Sequence, residues 1–80
     1  MTPARIEEIA HLVAGAESGW QTRFAAAIGV TRTHVANLIT GTRPATDDMR
    51  RAIAGAAEEV ADDFEKRATE LRKRAAKLRF

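Results

Sequence analysis

Apolar residues recur along this chain at steps of three and four, the spacing of helices with one buried face, and no stretch alternates as a strand would. Ile6, Ile9, Leu12, Val13 and Ala16 form a first stripe, which predicts a helix over about residues 3–16 with Glu7, His11 and Ala14 facing water. Thr2 and Pro3 suit its N-cap and first position, and Gly15 and Gly19 bracket its exit. Ser18, followed three residues later by Gln21, reads as a capping box opening a second helix that carries Phe24, Ala25 and Ile28. Gly29 can take positive φ without strain, Val30 restarts the apolar pattern, and Thr31 is a suitable N-cap for a third helix ending near Thr40. Val35, Leu38 and Ile39 form the buried stripe of that helix. Thr33, Ala36, Asn37 and Thr40 point the other way, with Arg32 and His34 on the flanks and no acid on the face. Gly41 stops the helix and Pro44 breaks any continuation, while Thr46 with Asp47 and Asp48 caps a last helix that can run to the end of the chain. Gly55 is its weak point, at a cost of about 1 kcal/mol against Ala, and is compatible with either a kink or one continuous rod.

The last third has a pattern of its own. Ala54, Ala57, Ala61, Phe64, Ala68, Leu71, Ala75 and Leu78 alternate steps of three and four as a heptad seam, in which one set of core positions is entirely Ala and the other mostly Phe or Leu. Acids crowd residues 58–65 and bases crowd 72–79, so a parallel pair would stack acid on acid whereas an antiparallel pair sets each acidic block beside a basic one. The expectation is an antiparallel homodimer joined through Ala61, Phe64, Ala68, Leu71, Ala75 and Leu78. The other reading is an exposed helix whose charges suit its own dipole and i,i+4 pairs.

Residues 21–41, QTRFAAAIGVTRTHVANLITG, carry a more specific signal. Gln21, Phe24, Ala25 and Gly29 at their spacing, with Val30, Val35, Leu38 and Gly41 following without a gap, make the segment resemble the phage repressor and Cro type of helix-turn-helix, a DNA-binding family. The resemblance is strict over 21–41 and extends to about residues 4–57 with the flanking helices. It implies that the helix opening at Thr31 lies in the major groove of double-stranded DNA while the preceding helix crosses the backbone. On that basis Arg32, Thr33, His34 and Asn37 are the candidates for base contact: a guanidinium can grip guanine O6 and N7, and an Asn amide adenine N6 and N7. His34, on a flank, suits a base, a phosphate or a solvated position equally. Gln21, Thr22, Arg23, Thr31, Thr40, Thr42 and Arg43 are the phosphate candidates, Arg43 foremost. Many members begin the reading helix with Gln where this chain has Arg32, so no operator sequence carries over. The reading is an all-α, four- to five-helix helix-turn-helix domain at 1–57 and a C-terminal dimerising helix at 58–80.

Composition narrows the alternatives. Eighty residues form one small domain, which buries only about 60% of its unfolded surface and gains from a second copy. The chain has no Cys, which excludes disulfides and thiolate chemistry and fits a reducing, cytoplasmic location or simple indifference to redox. Its N-terminal apolar residues are interleaved with charges, unlike a signal peptide, and no run approaches the roughly 20 apolar residues of a membrane span. The net charge of +2 says little, but ten Arg to three Lys favours forked recognition of phosphate and guanine. His11 and His34 fall on different helices, and no Gly-rich phosphate loop or HExxH spacing is present, so neither an enzyme nor a cofactor is expected. Trp20 reads as a staple for the second helix rather than a base-stacking platform, and Arg50 and Arg51 suit either phosphate or the nearby acids. The expected function is a sequence-specific transcriptional regulator, a repressor bound as a homodimer to an inverted-repeat operator through the major groove. The alternative is a protein-interaction module, or an antitoxin-like protein, in which the C-terminal helix grips a protein partner.

Overall fold

The computed structural model describes residues 1–79 and is all-helical, with four helices: α1 (Pro3–Ala14), α2 (Trp20–Ile28), α3 (Arg32–Thr40) and α4 (Asp47–Arg79). Local chemistry accounts for most of their ends. The Thr2 hydroxyl accepts the Arg5 amide at 3.3 Å, with Pro3 in the first turn, and Thr31 Oγ1 accepts the His34 amide at 3.1 Å. Thr46 Oγ1 likewise accepts the Met49 amide at 3.2 Å ahead of Asp47 and Asp48. Gly29 (φ 76°) and Gly41 (φ 80°) end α2 and α3 in the left-handed region, which only glycine enters without strain.

The α1–α2 connection departs from the sequence reading. The helix ends at Ala14, leaving Ala16 exposed, and Ser18 forms no capping box: the N-cap of α2 is Gly19, left-handed at φ 87° and without a side-chain cap. Arg23 stabilises this loop from a distance. Its guanidinium donates to the carbonyls of Ala14 (2.9 Å), Ser18 (3.2 Å) and Glu17 (3.3 Å), which satisfies the last carbonyl of α1 and two carbonyls of the loop. These bonds are solvent-exposed, so Arg23→Ala is expected to cost only about 1–2 kcal/mol and lower the melting temperature by roughly 5–15 °C. Thermal unfolding followed by circular dichroism checks this, and an unchanged transition would remove Arg23 from the account of the loop.

The core lies where α1, α2, α3 and the first turns of α4 meet. Ile6, Ala10, Phe24, Ala25, Ile28, Val35, Leu38, Ile53 and Ala56 are buried together, and no polar side chain is buried among the described residues. On α1 the buried positions are Ile6 and Ala10, with Ile9 and Val13 half-buried; Leu12, expected in the stripe, is 75% exposed. Glu7, His11 and Ala14 are half-buried rather than open to water: the His11 ring meets Trp20 edge-on, with centroids 4.6 Å apart, and lies 3.8 Å from the Glu7 carboxylate, while Ala14 packs against the core. That contact makes Trp20 the staple of α2 on α1.

The last helix is one rod of 33 residues that passes through Gly55 without a break and, at 1.5 Å per residue, accounts for about 50 Å of the molecule's 56 Å length. It packs on α1 and α2 through its first turns and then leaves the core, crossing residues 57 and 58 as continuous helix. Among the described residues α3 packs on α1 and α2 but not on α4, which leaves its outer face uncovered. None of these helices is long and apolar enough to cross a membrane.

Candidate nucleic-acid interface

The uncovered face of α3 is built by its own periodicity. Val35 and Leu38 are buried and Ile39 half-buried, which turns Arg32, Thr33 and Thr40 fully outward and leaves Ala36, Asn37 and His34 half-exposed between them. Small side chains at Thr33 and Ala36 let another surface approach the α3 backbone closely, flanked by Arg32 at the first turn and Asn37 one turn on.

The two ends of α3 gather different groups. At its N-terminal end Arg32 shares an open depression of about 420 Å³ with Ser18, Gly19, Trp20, Gln21 and Thr22, so the start of α2 and the start of α3 lie side by side. Gly19 provides no side-chain cap, and although the Trp20 amide donates to the Glu17 carbonyl at 3.1 Å, the Gln21 and Thr22 amides have no backbone acceptor, so donors and the positive end of the dipole lie at the depression beside a guanidinium. At the C-terminal end the Thr40 and Thr42 hydroxyls are 2.9 Å apart, Thr40 Oγ1 donates to the Asn37 carbonyl at 3.2 Å, and the Arg43 amide donates to the same carbonyl at 3.2 Å. These bonds hold the turn after α3 and leave the Arg43 side chain exposed.

Of the predicted site residues the fold therefore brings together Gln21, Thr22 and Arg32 at one end and Thr40, Thr42 and Arg43 at the other, with Thr33, His34 and Asn37 between. Thr31 is spent on capping its helix, and Arg23 on holding the α1–α2 carbonyls. Arg50 and Arg51 pair with Asp47 and Asp48 in their own first turn, Arg51 at 3.0 Å, so their charge is offset locally.

No Asp or Glu lies anywhere between Glu17 and Asp47, while Arg23, Arg32 and Arg43 all fall in that span. The whole α2–α3 unit is thus free of negative charge in a chain that carries 11 acids. Every acid is on α1, in the loop after it or on α4, and the electrostatic asymmetry follows the fold.

Compared with protein families, curated proteins and solved structures, the chain matches none of them.

Proposed function

We propose that this chain is a sequence-specific DNA-binding transcriptional regulator, a repressor that occupies an inverted-repeat operator as a homodimer. The observation that carries the reading is the α2–α3 unit: two helices joined at a left-handed Gly29, free of acids throughout, with the outer face of α3 uncovered. Placed in a major groove, α3 offers Arg32, Thr33 and Asn37 to base edges, with His34 on the flank. The paired ends supply phosphate contacts on either side: Gln21 and Thr22 from the open start of α2, Thr40, Thr42 and Arg43 from the turn after α3. With Thr31 and Arg23 engaged within the fold, their part is to hold α3 and the start of α2 in place, with any phosphate contact secondary.

Selection of bound duplexes from a random DNA pool at moderate salt tests the proposal. An enriched inverted repeat supports a dimeric sequence-specific regulator; the absence of any enriched sequence would overturn it. Within the enriched site, Arg32→Ala is expected to weaken binding by about 1–3 kcal/mol and to relax the preference at one base pair per half-site. The far-ultraviolet circular dichroism of this variant should match the parent, since Arg32 is exposed and holds no other element. Unaltered base preference would remove Arg32 from the reading surface.

A second reading is favoured by the exposed apolar residues Phe64, Leu71 and Leu78, which suit a protein partner on α4 with the rest of the fold as scaffold. A scaffold of that kind shows no sequence-selective DNA binding.

A further inference from the structure

Among the described residues the large apolar side chains left exposed are Met1, Leu12, Phe64, Leu71 and Leu78, and they are not scattered. Leu12 and Phe64 line an open apolar groove of about 380 Å³ between α1 and α4, whose α1 wall includes Ile9 and Val13 and whose α4 floor includes Ala57 and Ala61. The floor is the N-terminal half of the heptad seam, and Leu71 and Leu78 continue the same line along α4 after the helix has left the core. The groove and the bare seam are therefore one continuous apolar track, walled by α1 at one end only.

From this continuity we infer that the α1–α4 groove is the docking site for the C-terminal end of α4 from a second copy of the chain, with the partner's Ala75 and the partner's Leu78 seated against Leu12. The inference rests on the homodimer named above and fixes how it is built. Charge selects the occupant and its direction. The acidic block at 58–65 borders the groove, and the basic block at 72–79 carries Ala75 and Leu78. Opposing the blocks in antiparallel fashion puts the two-fold axis near Ala68 and brings the partner's Leu78 to the level of residues 54–61, which is the groove floor, whether the register is shifted by a few residues either way. The chain's own C-terminal end is excluded, because α4 is straight and carries Leu78 about 20 Å or more beyond Phe64. Two-fold symmetry then fills two identical grooves with two identical helix ends, and each α1 becomes part of the interface. The α2–α3 units are thereby tied to the dimer axis through α1 as well as through α4.

The absence of Cys makes the test direct. Leu12→Cys on one copy and Leu78→Cys or Ala75→Cys on a differently sized copy are mixed, treated with a short bis-maleimide and resolved by mass, alongside each variant alone and sedimentation of the parent chain. Cross-linking of the mixed pair in a sample that sediments as a dimer is the expected result. Cross-linking of Leu78→Cys with itself would mean parallel pairing and overturn the inference. A dimer in which residue 12 reaches neither 75 nor 78 would overturn the docking while leaving the homodimer standing. A chain that stays monomeric would overturn both, and the DNA selection above would then judge the DNA-binding reading separately. As a second check, Leu12→Lys sets a cation against the partner's basic block and is expected to weaken dimerisation about tenfold or more with helix content unchanged; dimerisation at the parent's strength would place Leu12 outside the interface.

Discussion

Phe24→Ala is expected to lower the melting temperature by roughly 15–35 °C, enough to leave a substantial unfolded fraction at room temperature. Among the described residues Phe24 is the largest of the fully buried side chains and lies in a core with only eight other buried residues, drawn from all four helices. Removing a ring from such a site costs about 3–5 kcal/mol, from lost burial and from the cavity left behind. A chain of this length has only about 4–12 kcal/mol to lose. The cavity cannot be filled cheaply, since Val35 and Leu38 on α3 and Ile53 on α4 are themselves fully buried, on helices whose first turns are fixed by the Thr31 and Thr46 caps. Thermal unfolding by circular dichroism is the measurement, with Ala26→Ser as the control: Ala26 is exposed on the same helix, and its substitution should move stability by no more than about 0.5 kcal/mol. A drop of only a few degrees for Phe24→Ala would mean that the four helices do not share this core.

How much of this was legible in the sequence depends on how local the determining chemistry is. The α2 and α3 helices were legible because burial period, Gly29 and the Thr31 cap all act within a few residues, and Phe24, Ala25, Ile28, Val35 and Leu38 are all buried as their spacing implies. The Thr46 cap follows from the same kind of signal, and the four helices observed are the lower of the four to five expected. On α1 the signal misled in two ways. Ala10 is fully buried, but a methyl group adds little to an apolar pattern; Leu12 adds much, but belongs to a second apolar face that looks along α4 rather than into the core. Periodicity reports that a face is apolar, not which neighbour covers it. The Ser18 capping box does not form because the N-cap falls one residue later, at a left-handed Gly19, in a loop whose carbonyls Arg23 holds from within α2, a donor arrangement that the Ser–Gln spacing does not register. Gly55 left kink and rod open, and the rod prevails where nothing packs within 4 Å of a Cβ at that position to bend it. For the candidate site, the outward positions on α3 were legible from the helical wheel. The adjacency of Arg32 to Gln21 and Thr22 was not, since it depends on how α2 and α3 cross.

Affinity for the selected duplex is expected to fall about tenfold between 50 and 200 mM monovalent salt. The magnitude follows from counting cations on the acid-free unit. Each copy carries three guanidiniums there, and with Arg32 assigned to a base edge and Arg23 held by the α1–α2 carbonyls, Arg43 remains for phosphate, which makes two such contacts in a dimer. Two phosphate neutralisations give a slope of about −1.8 in log affinity against log salt, and a fourfold rise in salt then removes about one order of magnitude. The ion pairs on α4 do not enter this count, because Arg50, Arg51 and Arg74 already face Asp47, Asp48 and Glu70 in their own helix. Arg43→Ala removes that contact from each copy and should abolish most of the slope, weakening all duplexes alike and sparing the base preference that Arg32→Ala relaxes. Arg23→Ala distinguishes the two roles of that residue: a lowered melting temperature with an unchanged slope makes it a holder of the α1–α2 loop only, and a shallower slope makes it a phosphate contact as well. Binding that is indifferent to salt would be incompatible with a surface whose only charges are guanidiniums, and would transfer the functional weight of the chain to the apolar track along α4.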